Sequence, residues 1–201
     1  VGDPAYGGQL QDFAVPGVPA EGQVRITYTD HDVALNGEPA VTLRRPTLHI
    51  EHLGYGPMHD EVMTSARIAP PMIGLGLLAA IPDATLQDMA DPDDEDNDGI
   101  SGRLNVVWDV QAQQTAIGRF GWKAGQPTLE QQNAAAFNGD MGLTTHFFPT
   151  SNCTLEQESC RQQVSGGEPE VSEEILRQVT FYSRNLAVPV RRDTGNPQVV
   201  R

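Results

Sequence analysis

Cysteine is almost missing from this chain. Cys153 and Cys160 are the only two, with six residues between them, a spacing that fits neither CxxC redox chemistry nor CxxCH haem attachment. Basic residues are also scarce, 13 Lys and Arg against 27 Asp and Glu, for a formal net charge of -14. Phosphates need a Lys/Arg field, so nucleic acid and anionic membrane surfaces are excluded as partners. The pairs Arg44-Arg45 and Arg191-Arg192 are too isolated to supply one. No apolar run approaches the ~20 residues of a membrane span. No signal peptide opens the chain, and its first residues, VGDPAYGG, read as the interior of a processed product or of a longer protein. A nucleophile elbow of the G-x-S-x-G kind is lacking, which argues against a hydrolase built on Ser101 and one of the five histidines. Internal repeats and low-complexity tracts are lacking too.

What is present is an ordinary globular composition, 38% hydrophobic and 20% charged, enough to bury a core. The most distinctive stretch is 91–105, DPDDEDNDGISGRLN, with six acidic residues in its first eight positions. Carboxylates at alternate positions, Asp94, Asp96 and Asp98, converge on one hard cation when the backbone curls, and Gly99 supplies the positive φ of a tight curl. Ile100 would add its backbone carbonyl. The register follows an EF-hand through its sixth position, but the twelfth is Asn105 where a bidentate Glu is expected. The following LNVVW is β-branched and aromatic, so a strand leaves the loop where an EF-hand would send a helix. A calcium loop outside a true EF-hand is the expectation, with a solvated acidic loop as the alternative. His49, His52 and His59 do not make a rival metal site, since on a strand His49 and His52 point to opposite faces.

The flanking patterns predict an α+β fold of short β-hairpins or a meander with several packed helices. After an irregular lead-in over 1–22, Val24, Ile26 and Tyr28 alternate with polar residues, Asn36-Gly37 marks a turn, and Val41 and Leu43 resume the alternation. MIGLGLLAAI, between Pro71 and Pro82, reads as a short buried helix, and 83–90 as a further turn or two. A second hairpin is expected over 105–120. PTLEQQNAAAF reads as a helix capped by Thr128 and ending at Asn138-Gly139. The longest helix runs over 171–187 behind Ser172, with Ile175, Val179, Tyr182 and Leu186 on one stripe. The residues 191–201 read as a linker. Cys153 and Cys160, in a polar turn-rich segment, read as a local disulfide and hence an oxidising compartment, two buried thiols being the alternative.

GDPAYGGQLQ, TLRRP, ARIAPPMIGLGLLAAIPD, DEDNDGISGRLN, GRFGWKAGQPTLEQQNAAAFNGDMGLT and FYSRNLAVPVRRD, in that order, resemble the bacterial di-haem oxidoreductases of the peroxidase type, also called thiol oxidoreductases. The resemblance covers nearly the whole chain. It implies that the chain, 1–201, is a single middle domain of a larger cytochrome c-like protein, periplasmic or otherwise exported; calcium binding by that domain is compatible with the resemblance but rests on the acidic loop's own composition. In that family CxxCH sites lie before the first block and after the last, so haem c would belong to flanking domains and the middle part alone would be inert. A more distant similarity, to di-haem cytochrome c peroxidases and their MauG-like relatives, implies roles. Asp140, before Met141-Gly142, would stand for their acid, with Asp in place of Glu. His59 would be a distal ligand or proton carrier, and Arg67 and Trp122 would line a haem cavity. An electron-donor protein is the further partner so implied. The rival reading is a stand-alone calcium-stabilised module that binds another protein.

Overall fold

The structure, a computed structural model, describes residues 2–196; positions 197–201 of the expected linker lie outside the described residues. Among the described residues, five helices and two antiparallel two-stranded sheets make an α+β architecture, as the patterning predicts. The chain forms two compact units, Val1–Ile68 with Ser151–Ser165, and Ala69–Thr150 with Gly166–Arg201. No helix among the described residues is long and apolar enough to cross a membrane.

In the first unit, β1 (Gln23–Leu35) and β2 (Glu38–Glu51) form one long hairpin through Asn36-Gly37, where Gly37 takes a φ of 80°. Pro46 sits inside β2 opposite Tyr28. A two-stranded sheet has only edge strands, so the missing N–H can face outward without breaking the ladder. The register places Val24, Ile26 and Tyr28 opposite Ile50, Leu48 and Pro46, which makes one face apolar. The other face carries the Arg25 ion pair with Glu51 at 2.5 Å and a 3.0 Å contact between Thr27 and His49. None of the hairpin's side chains is buried.

The remainder of this unit is held by the lead-in. Asp3 is buried, and its carboxylate accepts from the backbone N–H of Ala5, Tyr6 and His59. Tyr6 donates to the carbonyl of Gly56 at 2.5 Å, and its ring meets Tyr55 edge-on. The segment 151–165 returns to the same place: Thr154 and Gln157 both donate to the carbonyl of Ala5, and Gln157 also donates to Glu21. Cys153 and Cys160 form a disulfide that closes this segment over the short helix α1 of the unit, Glu158–Arg161. By chain entropy so short a loop contributes about 2.5 kcal/mol.

Two carboxylates of this unit titrate in opposite directions. The His59 N–H, with those of Ala5 and Tyr6, holds Asp3 below its ordinary value of 3.8. Its stabilisation is complete above that pH and is lost as pH falls through the folded value. Burial pushes Glu21 above 4.5, so its neutral form is favoured, and that stabilisation is lost as pH rises through the folded value. A Glu21→Gln substitution keeps one acceptor where Gln157 and the Gln11 N–H need two, and is therefore expected to lower stability below 4.5 and to lower it less at neutral pH, where the buried charge is removed. Urea unfolding at neutral and at acid pH checks this; equal effects at both would contradict it.

In the second unit the order of elements is α2 (Leu75–Ala79), α3 (Asp83–Asp88), β3 (Val106–Asp109), β4 (Gln114–Ile117), α4 (Leu129–Met141) and α5 (Glu173–Asn185). The MIGLGLLAAI segment gives only the five-residue α2, and none of its residues is fully buried. Thr128 caps α4, accepting from the N–H of Gln131, as expected. Asn138-Gly139 does not end α4. The Asn138 side chain is drawn away to the carbonyl of Thr150, and the helix continues to Met141, where Gly142 closes it at a φ of 70°. Gln131, buried on α4, accepts from Val110 N–H and donates to the carbonyl of Trp108, tying the β3–β4 hairpin to the helix.

Ser172 caps α5, but the expected apolar stripe is not the buried one. Leu176, Thr180 and Ser183 face inward. The reason lies on α4, which presents Asn133: its amide donates to Thr180 at 3.1 Å, and Ser183 lies 3.5 Å from its carbonyl oxygen. A buried amide must find such partners, so the helix turns its polar residues to meet it. Ala134, Phe147, Val171 and Leu176 complete the apolar part of this core.

Candidate metal centre

The acidic stretch leaves α3 and closes on itself through a bridge between Asp91 and Gly102, whose neck bond runs from Asp91 N–H to the Gly102 carbonyl at 2.9 Å. Inside the loop the backbone is curled at three positive-φ positions, Asp94 at 52°, Asn97 at 58° and Gly99 at 86°. The curl follows from local chemistry: the carboxylates of Asp91, Asp94, Asp96 and Asp98 accept the N–H groups of Glu95, Gly99, Asp98 and Ile100 respectively. Short Asp side chains favour such bonds to their own backbone over helix or strand.

Asp91, Asp94 and Asp96 each bring a carboxylate oxygen within 4.8 Å of the others. Two oxygens bound to one calcium at 2.3–2.6 Å stand up to about 5 Å apart, so the three fit a shared ion. An all-oxygen, all-acidic donor set suits a hard cation rather than a transition metal. Of the sequence candidates, Asp94 and Asp96 are thus brought together, joined by Asp91, while Asp98 lies outside the group and bonds Ile100. Ile100 is exposed, two residues before the neck. The Asn105 amide is directed past the neck, to the carbonyls of Lys123 and Ala124. Asp91 was legible only through the loop's closure, since its partner at the neck is eleven positions away.

The residues linked to haem by resemblance are distributed over both units. His59 and Arg67 belong to the first; Trp122 and Asp140 belong to the second. His59 donates its N–H to Asp3 and accepts the Glu61 N–H on Nδ1, so its ring is oriented by the loop that carries it. Arg67 lies in the irregular, exposed stretch ARIAPP. Asp140 is exposed in the last turn of α4, and Trp122 is 62% exposed within the GWKAG loop, which is closed by the bridge between Phe120 and Gln126. The guanidinium of Arg119, in the same segment, reaches the carbonyls of Leu78 and Ile81 and the carboxylate of Asp83. For covalent haem the chain itself does not fit: both of its cysteines are engaged in the disulfide, and CxxCH is absent from its sequence.

No match to the chain was found among curated proteins or among solved structures. The family described as "Di-haem oxidoreductase, putative peroxidase" matches residues 12–201, almost the full length and every motif block except the first, GDPAYGGQLQ, and the chain belongs to that family.

Proposed function

We propose that this chain is the haem-free part of an exported c-type di-haem oxidoreductase of the peroxidase type, and that its acidic loop holds a structural calcium ion. The observation that carries the reading is a mismatch: a chain matched to a di-haem family over 12–201 has its only two cysteines joined to each other. Haem is then attached by other segments of the protein, which supply the redox chemistry when haem is bound. The chain's own contribution is a folded frame. Asp140 remains the candidate acid and His59 the candidate proton carrier within that assembly, and alone the chain is inert. The disulfide supports an oxidising compartment such as the periplasm.

Calcium is the part of this reading open to direct test. An ion bound only by the folded state stabilises it by about 2.7 kcal/mol at a hundredfold excess over Kd. Thermal unfolding with calcium and with chelator is expected to show a clear rise in midpoint, abolished by Asp94→Ala with Asp96→Ala. Equal midpoints would remove calcium from the proposal. The haem assignment is tested separately, by the haem content of the full-length protein and its absence from this chain.

A further inference from the structure

Asn-Gly occurs twice in the chain, as Asn36-Gly37 and as Asn138-Gly139, and the fold treats the two pairs in opposite ways. The pair is chemically special because glycine has no Cβ to shield its own nitrogen, which can swing against the preceding amide side chain. At the tip of the long hairpin Asn36 and Gly37 are both exposed, and Gly37 stands at a φ of 80°. Neither the Asn36 side chain nor the Gly37 N–H has a hydrogen-bond partner among the described residues. The hairpin is held by its own ladder, since none of its side chains is buried, and a lone two-stranded hairpin is marginal in water. That ladder is already irregular between Val33 and Leu35, and its last pair is Leu35 with Glu38. The tip is therefore free to open locally. Asn138-Gly139 is the contrary case. Both residues are half-buried inside α4, where helical geometry commits the Gly139 nitrogen to the helix ladder. The Asn138 amide is also tied, donating to the carbonyl of Thr150 at 3.0 Å.

We propose that Asn36 is a modification site, at which the chain deamidates itself. The Gly37 nitrogen bonds to Cγ of Asn36, the Cγ–NH2 bond breaks, and ammonia leaves with the Gly37 proton, giving a cyclic imide. Water then opens the ring at either carbonyl, to aspartate or isoaspartate, so that a water is consumed and an ammonia released. Either product adds a carboxylate two residues from Glu38, in a chain already at a net charge of -14. Isoaspartate also routes the backbone through Cβ, which lengthens the turn and breaks the pairing of Leu35 with Glu38. Its α-carboxylate, exposed at the tip, is the group that protein carboxyl methyltransferases esterify.

The test is to age the purified chain in warm neutral buffer and to follow both sites by peptide mapping, with isoaspartate scored by enzymatic carboxyl methylation. In the folded chain Asn36 is expected to convert several-fold faster than Asn138, and the methylated peptide to be the one that contains position 36. In urea, where α4 is lost, the two sites should convert at similar rates. Asn36→Gln should remove the methylated peptide from the folded chain. An Asn36 that stays intact in the folded chain while it converts in urea, or that converts no faster than Asn138 when folded, would overturn the proposal.

Discussion

A Gly118→Ala chain is expected to lose about 3 kcal/mol of stability, lowering the unfolding midpoint of the second unit by roughly 10 °C. A Cβ at this position would stand 1.7 Å from the carbonyl oxygen of Ala124, a backbone atom that no rotamer change can move. Nor is that carbonyl at liberty to withdraw. Asn105 donates to it and to its neighbour at Lys123, and the Gly118 N–H is itself bonded to the carbonyl of Asn105. Relief would therefore require β4 and the GWKAG loop to separate. Gly125 is the matched control: a Cβ there meets nothing within 4 Å, and Gly125→Ala should be near neutral. Calorimetry of both variants decides the matter, and equal midpoints would show that the loop is looser than these contacts imply.

Arg119→Ala should be nearly as damaging, at about 2–4 kcal/mol. The comparison with its ion-pair partner separates the causes. Only 10% of the Arg119 side chain is exposed, whereas 62% of the Asp83 side chain is. An ion pair with so exposed a partner is worth at most about 1 kcal/mol. The larger loss comes from the helix end: the guanidinium accommodates the carbonyl of Ile81 at 2.5 Å, one of the last acceptors after α2, which has no intrahelical donor. Asp83→Ala is accordingly expected to have a small effect and Arg119→Ala a large one. If denaturant unfolding gave the two the same loss, the ion pair and not the carbonyls would be the source.

Local chemistry was readable in the sequence wherever it stays local. Thr128 and Ser172 cap their helices because a hydroxyl three positions before an N–H needs no tertiary help. Asn36-Gly37 turns a hairpin, and Cys153 finds Cys160 across a polar turn. The acidic loop was legible as a curl of carboxylates around glycine, and its family resemblance is matched over 12–201. What failed to show was orientation. The stripe on α5 is periodic and apolar, yet Asn133 on another helix decides which side is buried. Asp91 enters the carboxylate group through a bond to Gly102, and Asn105 leaves it for Lys123. In each case the deciding partner is remote, and periodicity carries no record of it.

The return of 151–165 to the lead-in also sets a timetable. Ala5 and Thr154 are 149 positions apart, and Ala5 and Gln157 are 152 apart. Contacts of such separation close late, because the chain entropy of the intervening loop must be overcome before they form. At ~5–20 residues per second of synthesis, the first residues wait roughly 10–30 s for their partners to leave the ribosome. During that interval the Ala5 carbonyl and the Glu21 carboxylate lack their partners Thr154 and Gln157. Nascent chains of this protein should therefore lean on chaperones until the last third has emerged; the first unit is closed by 151–165, and the second follows it, because α5 emerges later still.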